Sequence, residues 1–242
     1  MQQLIRIREK LDQLRNMDIR QELPGADAHQ YRLNPVLKPE EVHRFETTHQ
    51  VQLPEEYVAF LTNLGDGGAG PFQGLRQLEG SRISFFDPTG AHQYFDLSRP
   101  FPHTEKWNME WELEALDARL EAAYEAGNQQ LEKQLFERKW DLISGTEHDQ
   151  GRLYMTDDGY GTQISLVVNG QEKGNMWSDE RINDGGIHPS NELGNTGKIS
   201  FLNWYELWLD HALKKMRGVQ RRFFPFLSLN EPRKIRDSVS CK

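Results

Sequence analysis

Apolar residues recur at Leu4, Ile7, Leu11, Leu14 and Met17 with charged residues between them, a spacing that predicts an amphipathic helix over residues 3–20. The stripe is too short for a coiled coil. Pro24-Gly25 breaks the pattern, and the chain to Leu37 reads as loop. Pro39-Glu40-Glu41 and Pro54-Glu55-Glu56 each predict a helix start, because proline suits the first helical position and carboxylates suit the positive end of the helix. In the second of these helices Tyr57, Phe60, Leu61 and Leu64 fall on one face, and Gly65 follows as a C-terminal cap.

Residues 75–86 read as two short strands, with Gly80 in the turn and Ile83, Phe85 and Phe86 as apolar content. Residues 105–141 have helix-forming composition broken at Gly127-Asn128, which predicts a helical hairpin. After Gly145 the period shortens to that of strands, at 152–156, 162–168 and 171–177. Asn169-Gly170 joins the last two as a tight hairpin, so the sheet is antiparallel there. Residues 183–198 read as a long loop. Ser200 is placed to cap a final helix, FLNWYELWLDHALKKM, whose apolar residues lie nearly all round and require burial on several sides. The predicted core is Trp177, Trp204, Tyr205 and Trp208 with Tyr57, Phe60 and Leu61, packing the sheet against its helices.

The 242 residues fit one large domain with N-terminal residues 1–38 and a C-terminal tail, 217–242, at its edges. The most apolar stretch, 199–213, carries Glu206 and Asp210, which argues against a membrane span. The N-terminal MQQLIRIREK puts charge where a secretion signal would be apolar, so the expected location is cytoplasmic. The single cysteine, Cys241, can form neither an intramolecular disulfide nor a cysteine zinc cluster.

Charge sharpens the picture. The chain nets −8, yet residues 214–242 hold nine basic and two acidic side chains, leaving −15 on the rest. Windows 40–66, 105–141 and 147–184 each net −5. Such a body repels phosphate backbones and steers toward basic proteins, so neither direct nucleic-acid nor membrane binding is expected of it. The tail interleaves Arg221 and Arg222 with Phe223, Phe224 and Phe226. Docking on the acidic body is the favoured reading of that tail, with membrane or single-stranded nucleic acid as alternatives.

Candidate chemistry is sparse. Residues 65–70, GDGGAG, match a glycine-rich nucleotide motif, but a helix precedes them and Pro71 follows, so they read as a sharp turn. The eight histidines form no paired metal spacing. No catalytic residue and no cofactor is expected. Five carboxylates beside turns, Asp66, Asp157, Asp158, Asp179 and Glu180, are the candidate protein contacts. A metal-dependent hydrolase using Asp157, Asp158, His148 or His188 stands as an alternative.

Three segments occur in a suggestive order: LPEEYVAFLTNLGDGGAG at 53–70, GRLYMTDDGYGTQISLVVNGQEKGNMW at 151–177 and SFLNWYELWLD at 200–210. Together they resemble the SUKH superfamily, the Smi and Knr family, over residues 39–216. Where that family often has a cysteine before the glycine matching Gly161, this chain has Tyr160. The resemblance implies an α+β fold, a central antiparallel sheet flanked by helices, with residues 105–141 as an insertion. It also implies a non-catalytic binding role. Bacterial members are mostly immunity proteins that neutralise a cognate toxin, and fungal members regulate cell-wall synthesis through protein partners. A basic toxin such as a nuclease domain would complement the acidic body, while a regulatory scaffold with several partners is the alternative.

Overall fold

A computed structural model describes residues 1–82 and 95–223, with side chains described as far as Gly218. The expected α+β architecture is present. Seven α-helices, α1 (Gln2–Met17), α2 (Ala26–His29), α3 (Pro39–His49), α4 (Glu55–Asn63), α5 (Glu110–Glu125), α6 (Gln129–Ile143) and α7 (Phe201–Phe223), accompany four strands among the described residues. The strands β1 (Arg152–Asp157), β2 (Gln163–Val167), β3 (Met176–Glu180) and β4 (Gly186–Pro189) form one antiparallel sheet in the order β1-β2-β3-β4. No helix among the described residues is long and apolar enough to cross a membrane.

The two faces of the sheet have different cover. Leu153, Met155, Ile164, Leu166 and Met176 point inward, to a core shared with α1, α4 and α7. Leu4, Ile7, Leu11 and Leu14 of α1 belong to this same core, so the N-terminal helix is integral to the domain. There Tyr57 and Phe60 meet Phe201, and Phe60 meets Tyr205, in edge-to-face ring contacts, with Leu61 and Trp204 buried in the same core. Trp208 is only half-buried. Trp177 departs from the predicted set. Strand alternation sends it to the opposite face, into a separate cluster with Phe101, Val167 and Ile187.

Several local expectations change for identifiable reasons. Ser200 Oγ has no hydrogen-bond partner, and the carboxylate of Glu56 accepts from Leu202 N instead, at 3.2 Å. The start of α7 is thus capped from α4 across 146 residues of chain. Pro54 is the N-cap of α4 rather than its first residue. Gly65 is needed for close approach, since a Cβ there would lie 2.5 Å from Asn34 O. Asn169-Gly170 does not make a two-residue hairpin: the loop continues to Asn175, while Asn169 Nδ2 donates to the carbonyls of Leu97 and Ser98. A Cβ at Gly170 would sit 3.0 Å from Phe101 N, so this corner serves as the seat for the 97–101 segment. Within the predicted 183–198 loop lies β4. Leu75 makes an isolated bridge to Gly68, and Gly80 lies in a 3-10 turn, Glu79–Arg82, instead of a strand hairpin. Ile83, Phe85 and Phe86, and the tail beyond Phe223, lie outside the described residues; α7 itself runs through position 217 without a break.

The helical hairpin forms as expected, with Asn128 Oδ1 capping α6 by accepting from Leu131 N at 3.1 Å. Its small apolar clusters, Met109, Leu113 and Ile143 near the base and Leu116, Ala123 and Leu135 farther out, are separate from the main core. At the base, His103 and His148 stack with ring centroids 5.1 Å apart, and His103 Nε2 lies 3.0 Å from His148 Nδ1. Trp107 covers His148 at 4.1 Å.

Two measurements test this account. Trp204 is fully buried and its indole N–H donates to Glu192, so Trp204→Ala should cost about 3–5 kcal/mol in denaturant unfolding. The second is pH dependence. Burial, then the His148, Arg152 and Arg181 neighbours, holds His103 down from 6.5 to about 4. A histidine whose folded value is depressed binds fewer protons than in the unfolded chain, so its stabilising contribution is present above pH 6.5 and is lost as pH falls toward 4. His103→Gln should flatten the dependence of Tm on pH across that window.

Candidate protein-contact surface

Antiparallel pairing brings the β1–β2 turn and the β3–β4 connection to the same end of the sheet. Asp157 pairs with Gln163 and Gln163 with Asp179, so the outer members of this row are two strand spacings, about 10 Å, apart. What stands above this row and what lies beneath it differ sharply.

Beneath it is a buried ion network. Arg152 donates to Asp179 at 2.6 Å; Arg181 donates to Asp149 at 2.7 Å and to Asp179 at 2.8 Å. Arg152 also pairs with Asp149, and Arg181 Nη1 donates to Gly145 O. Arg152, Asp179 and Arg181 are fully buried. Burial alone would raise the Asp179 carboxyl, but the two guanidinium groups outweigh it and hold the group far below the ordinary carboxylate range. Two cations and two anions therefore balance where solvent cannot.

The burial of Asp179 corrects its assignment as a contact residue. Asp66 is corrected likewise: it is buried, its carboxylate accepts from Leu78 N at 2.7 Å, and burial pushes its carboxyl up. Its task is to hold 78 against the glycine-rich turn. That turn is structural in its geometry too, with Gly68 bridged to both Leu33 and Leu75 and the carbonyl of Ala69 accepting from Tyr205 OH.

Above the row, Asp157, Asp158 and Glu180 are brought together. Asp157 Oδ1 accepts from Gly159 N at 3.0 Å, and its other oxygen accepts from Tyr154 OH at 2.6 Å. Asp158 Oδ1 accepts from Tyr160 N and Thr162 N at 2.7 and 3.1 Å. These bonds shape the turn and hold Tyr160 out into solvent, 85% exposed. The β3–β4 connection docks on it: Asn183 Nδ2 donates to Tyr160 O, and Gly161, at φ 100, leaves room for Ile182 where a Cβ would lie 2.4 Å from the isoleucine. Exposed Ile182 and Asp184 and partly exposed Glu180 complete the end, with Glu180 3.5 Å from His188. The sequence reading missed Ile182 and Asp184; the signal for them is the second hairpin, hidden with the unpredicted β4.

No group of three or more His, Cys, Asp or Glu side chains among the described residues is arranged to hold a metal ion. Asp157, Asp158, His148 and His188, named for the hydrolase alternative, form no such group. His148 instead faces His103, and the two aspartates spend oxygens on turn amides. Comparisons with models of protein families, with curated proteins and with solved structures find no match to this chain.

The two sets of carboxylates should separate experimentally. Asp179→Asn leaves buried guanidinium charge uncompensated and should cost about 3–5 kcal/mol in chemical denaturation. Asp157→Asn, Asp158→Asn and Glu180→Gln, at the partly exposed end, should each cost less than about 1 kcal/mol.

Proposed function

We propose that this chain is a non-catalytic protein-binding module of the immunity type, which neutralises a toxin carrying a basic surface, such as a nuclease domain, by covering it with the acidic end of the sheet. The observation that supports this reading is that Asp157, Asp158, Glu180 and Asp184 share one end of the sheet with exposed Tyr160 and Ile182, on two connections that touch each other. A large aromatic ring with an apolar neighbour beside several like charges has the composition of a contact centre: the ring supplies buried area and the carboxylates supply steering and orientation. The buried ion network beneath makes the platform rigid, so little ordering cost remains for binding. The resemblance of the three ordered segments to immunity proteins points the same way.

A second reading, a regulatory scaffold with several partners, draws on Trp111, Tyr124 and Phe136, which are 81%, 74% and 60% exposed on the helical hairpin. They offer a surface apart from the acidic sheet end.

Affinity capture and stopped-flow association with the toxin domain encoded beside the gene test the first reading. Tyr160→Ala should weaken the complex by about 2 kcal/mol through faster dissociation. Joint neutralisation of Asp157, Asp158, Glu180 and Asp184 should slow association and flatten its salt dependence. A complex with unchanged rates in both variants, or capture through the hairpin aromatics alone, would turn the assignment to the scaffold.

A further inference from the structure

A cleft of about 210 Å³ opens between α7, the 23–31 segment, the 71–72 turn and the 192–193 loop. Its walls are apolar, with Tyr31, Phe72, Leu193 and Trp208 as the large side chains. Two of these, Tyr31 and Phe72, have left-handed backbones, at φ 56 and φ 55. That conformation is costly for an aromatic residue and persists only where surrounding structure enforces it. Here it is enforced. Tyr31 OH donates to Asp18 at 2.6 Å, Tyr31 N donates to His29 Nδ1 at 3.0 Å, and Arg15 donates to Tyr31 O at 2.7 Å. The carbonyl of Phe72 presses against Gly25, where a Cβ would lie only 1.4 Å from the oxygen. Strained aromatic walls held from behind are a feature of ligand clamps rather than of casual surface grooves.

The mouth has a definite electrostatic sense. Glu192 is the one acid in the lining, and its carboxylate already accepts from Ser178, Ser190 and Trp204. His211 and Lys215 stand one turn apart on the same face of α7, at the rim. Lys215 has no ion-pair partner among the described residues. The cleft exceeds the roughly 150 Å³ that accommodates a benzene ring in an apolar cavity.

We infer that this cleft is a binding site for a small apolar carboxylate, whose hydrocarbon body lies among Tyr31, Phe72, Leu193 and Trp208 and whose anionic head meets Lys215. The site uses none of Asp157, Asp158, Glu180 and Asp184, so the inference stands whether or not the acidic sheet end binds a toxin. Lys215 holds the head by charge, and the aromatic walls select a flat or slender body.

Titration calorimetry on the full chain with 2-naphthoate, and with 2-naphthalenemethanol as its neutral counterpart, tests the inference. Saturable one-site binding of the carboxylate is expected, about fivefold tighter than the alcohol. Lys215→Gln should erase that difference and leave the alcohol unchanged, whereas Ala212→Phe, which fills the cleft, should abolish both. Leu193→Trp on the loop side does the same if Ala212→Phe fails to fold. Absence of saturable binding, or binding that survives both filled variants, would overturn the site; equal affinity for carboxylate and alcohol would overturn its anionic character.

Discussion

The constraint on which the sheet depends is the balancing of charge in its dry outer face. Arg152 opens β1, Asp179 lies one residue before the end of β3, Arg181 begins the connection to β4, and Asp149 precedes β1. Each guanidinium meets both carboxylates, so no charge is left to solvent that cannot reach it. Such a set adds little net energy compared with a hydrocarbon core of the same volume, but it penalises every alternative register, because a one-residue slip would strand a buried ion. The bond from Arg181 to Gly145 O extends the same lock to the chain leaving α6. The acidic display at the sheet end therefore rests on a base whose geometry is fixed by electrostatics.

The inner face follows a different logic. There α7 is held by rings and by a few distant polar contacts: Glu56 at its start, Ala69 O on Tyr205, and Glu206 against Arg6 and Lys10 of α1. Hydrogen bonding by Arg6 above all, with help from Lys10 and against partial burial, holds the Glu206 carboxyl down to about 2. Apolar area supplies the bulk of the stabilisation, and the polar contacts set rotation and height of the helix. The segment between α1 and α3, including the strained Tyr31, is wedged between α1 and the glycine-rich turn as a result.

The helices were legible because their apolar spacing matched their burial, as at Leu4, Ile7, Leu11 and Leu14. The strands were legible in type and less so in length. Reading Asp179 as a contact residue followed from its place beside a turn, which says nothing of whether the face of the sheet there is covered. The chain from 95 to 108 and the base of the insertion cover that face, and nothing in the alternation of MWSDE announces such cover. Strand β4 was hidden for a related reason: four residues containing glycine and proline carry too little alternation to register, and the strand exists through pairing with β3 and with Trp107. Of the candidate contact residues, Asp157, Asp158 and Glu180 were chosen from turn chemistry, and the structure leaves them partly exposed. Tyr160, noted only as a replacement, gains its meaning from the turn bonds that hold it outward.

The closed base of the helical hairpin has a consequence for how this chain can vary. His103 and His148 meet ring to ring, so the two points where the hairpin leaves and rejoins the sheet domain are neighbours; Trp107 and Gly145 still bind the sheet, but α5 and α6 beyond them have their own apolar clusters. An excursion with adjacent ends can lengthen, shorten or be exchanged for another module without altering the path of the sheet. The domain thus carries a natural grafting point, at which a short linker or an unrelated folded unit could replace α5 and α6 while the core and the acidic end kept their register.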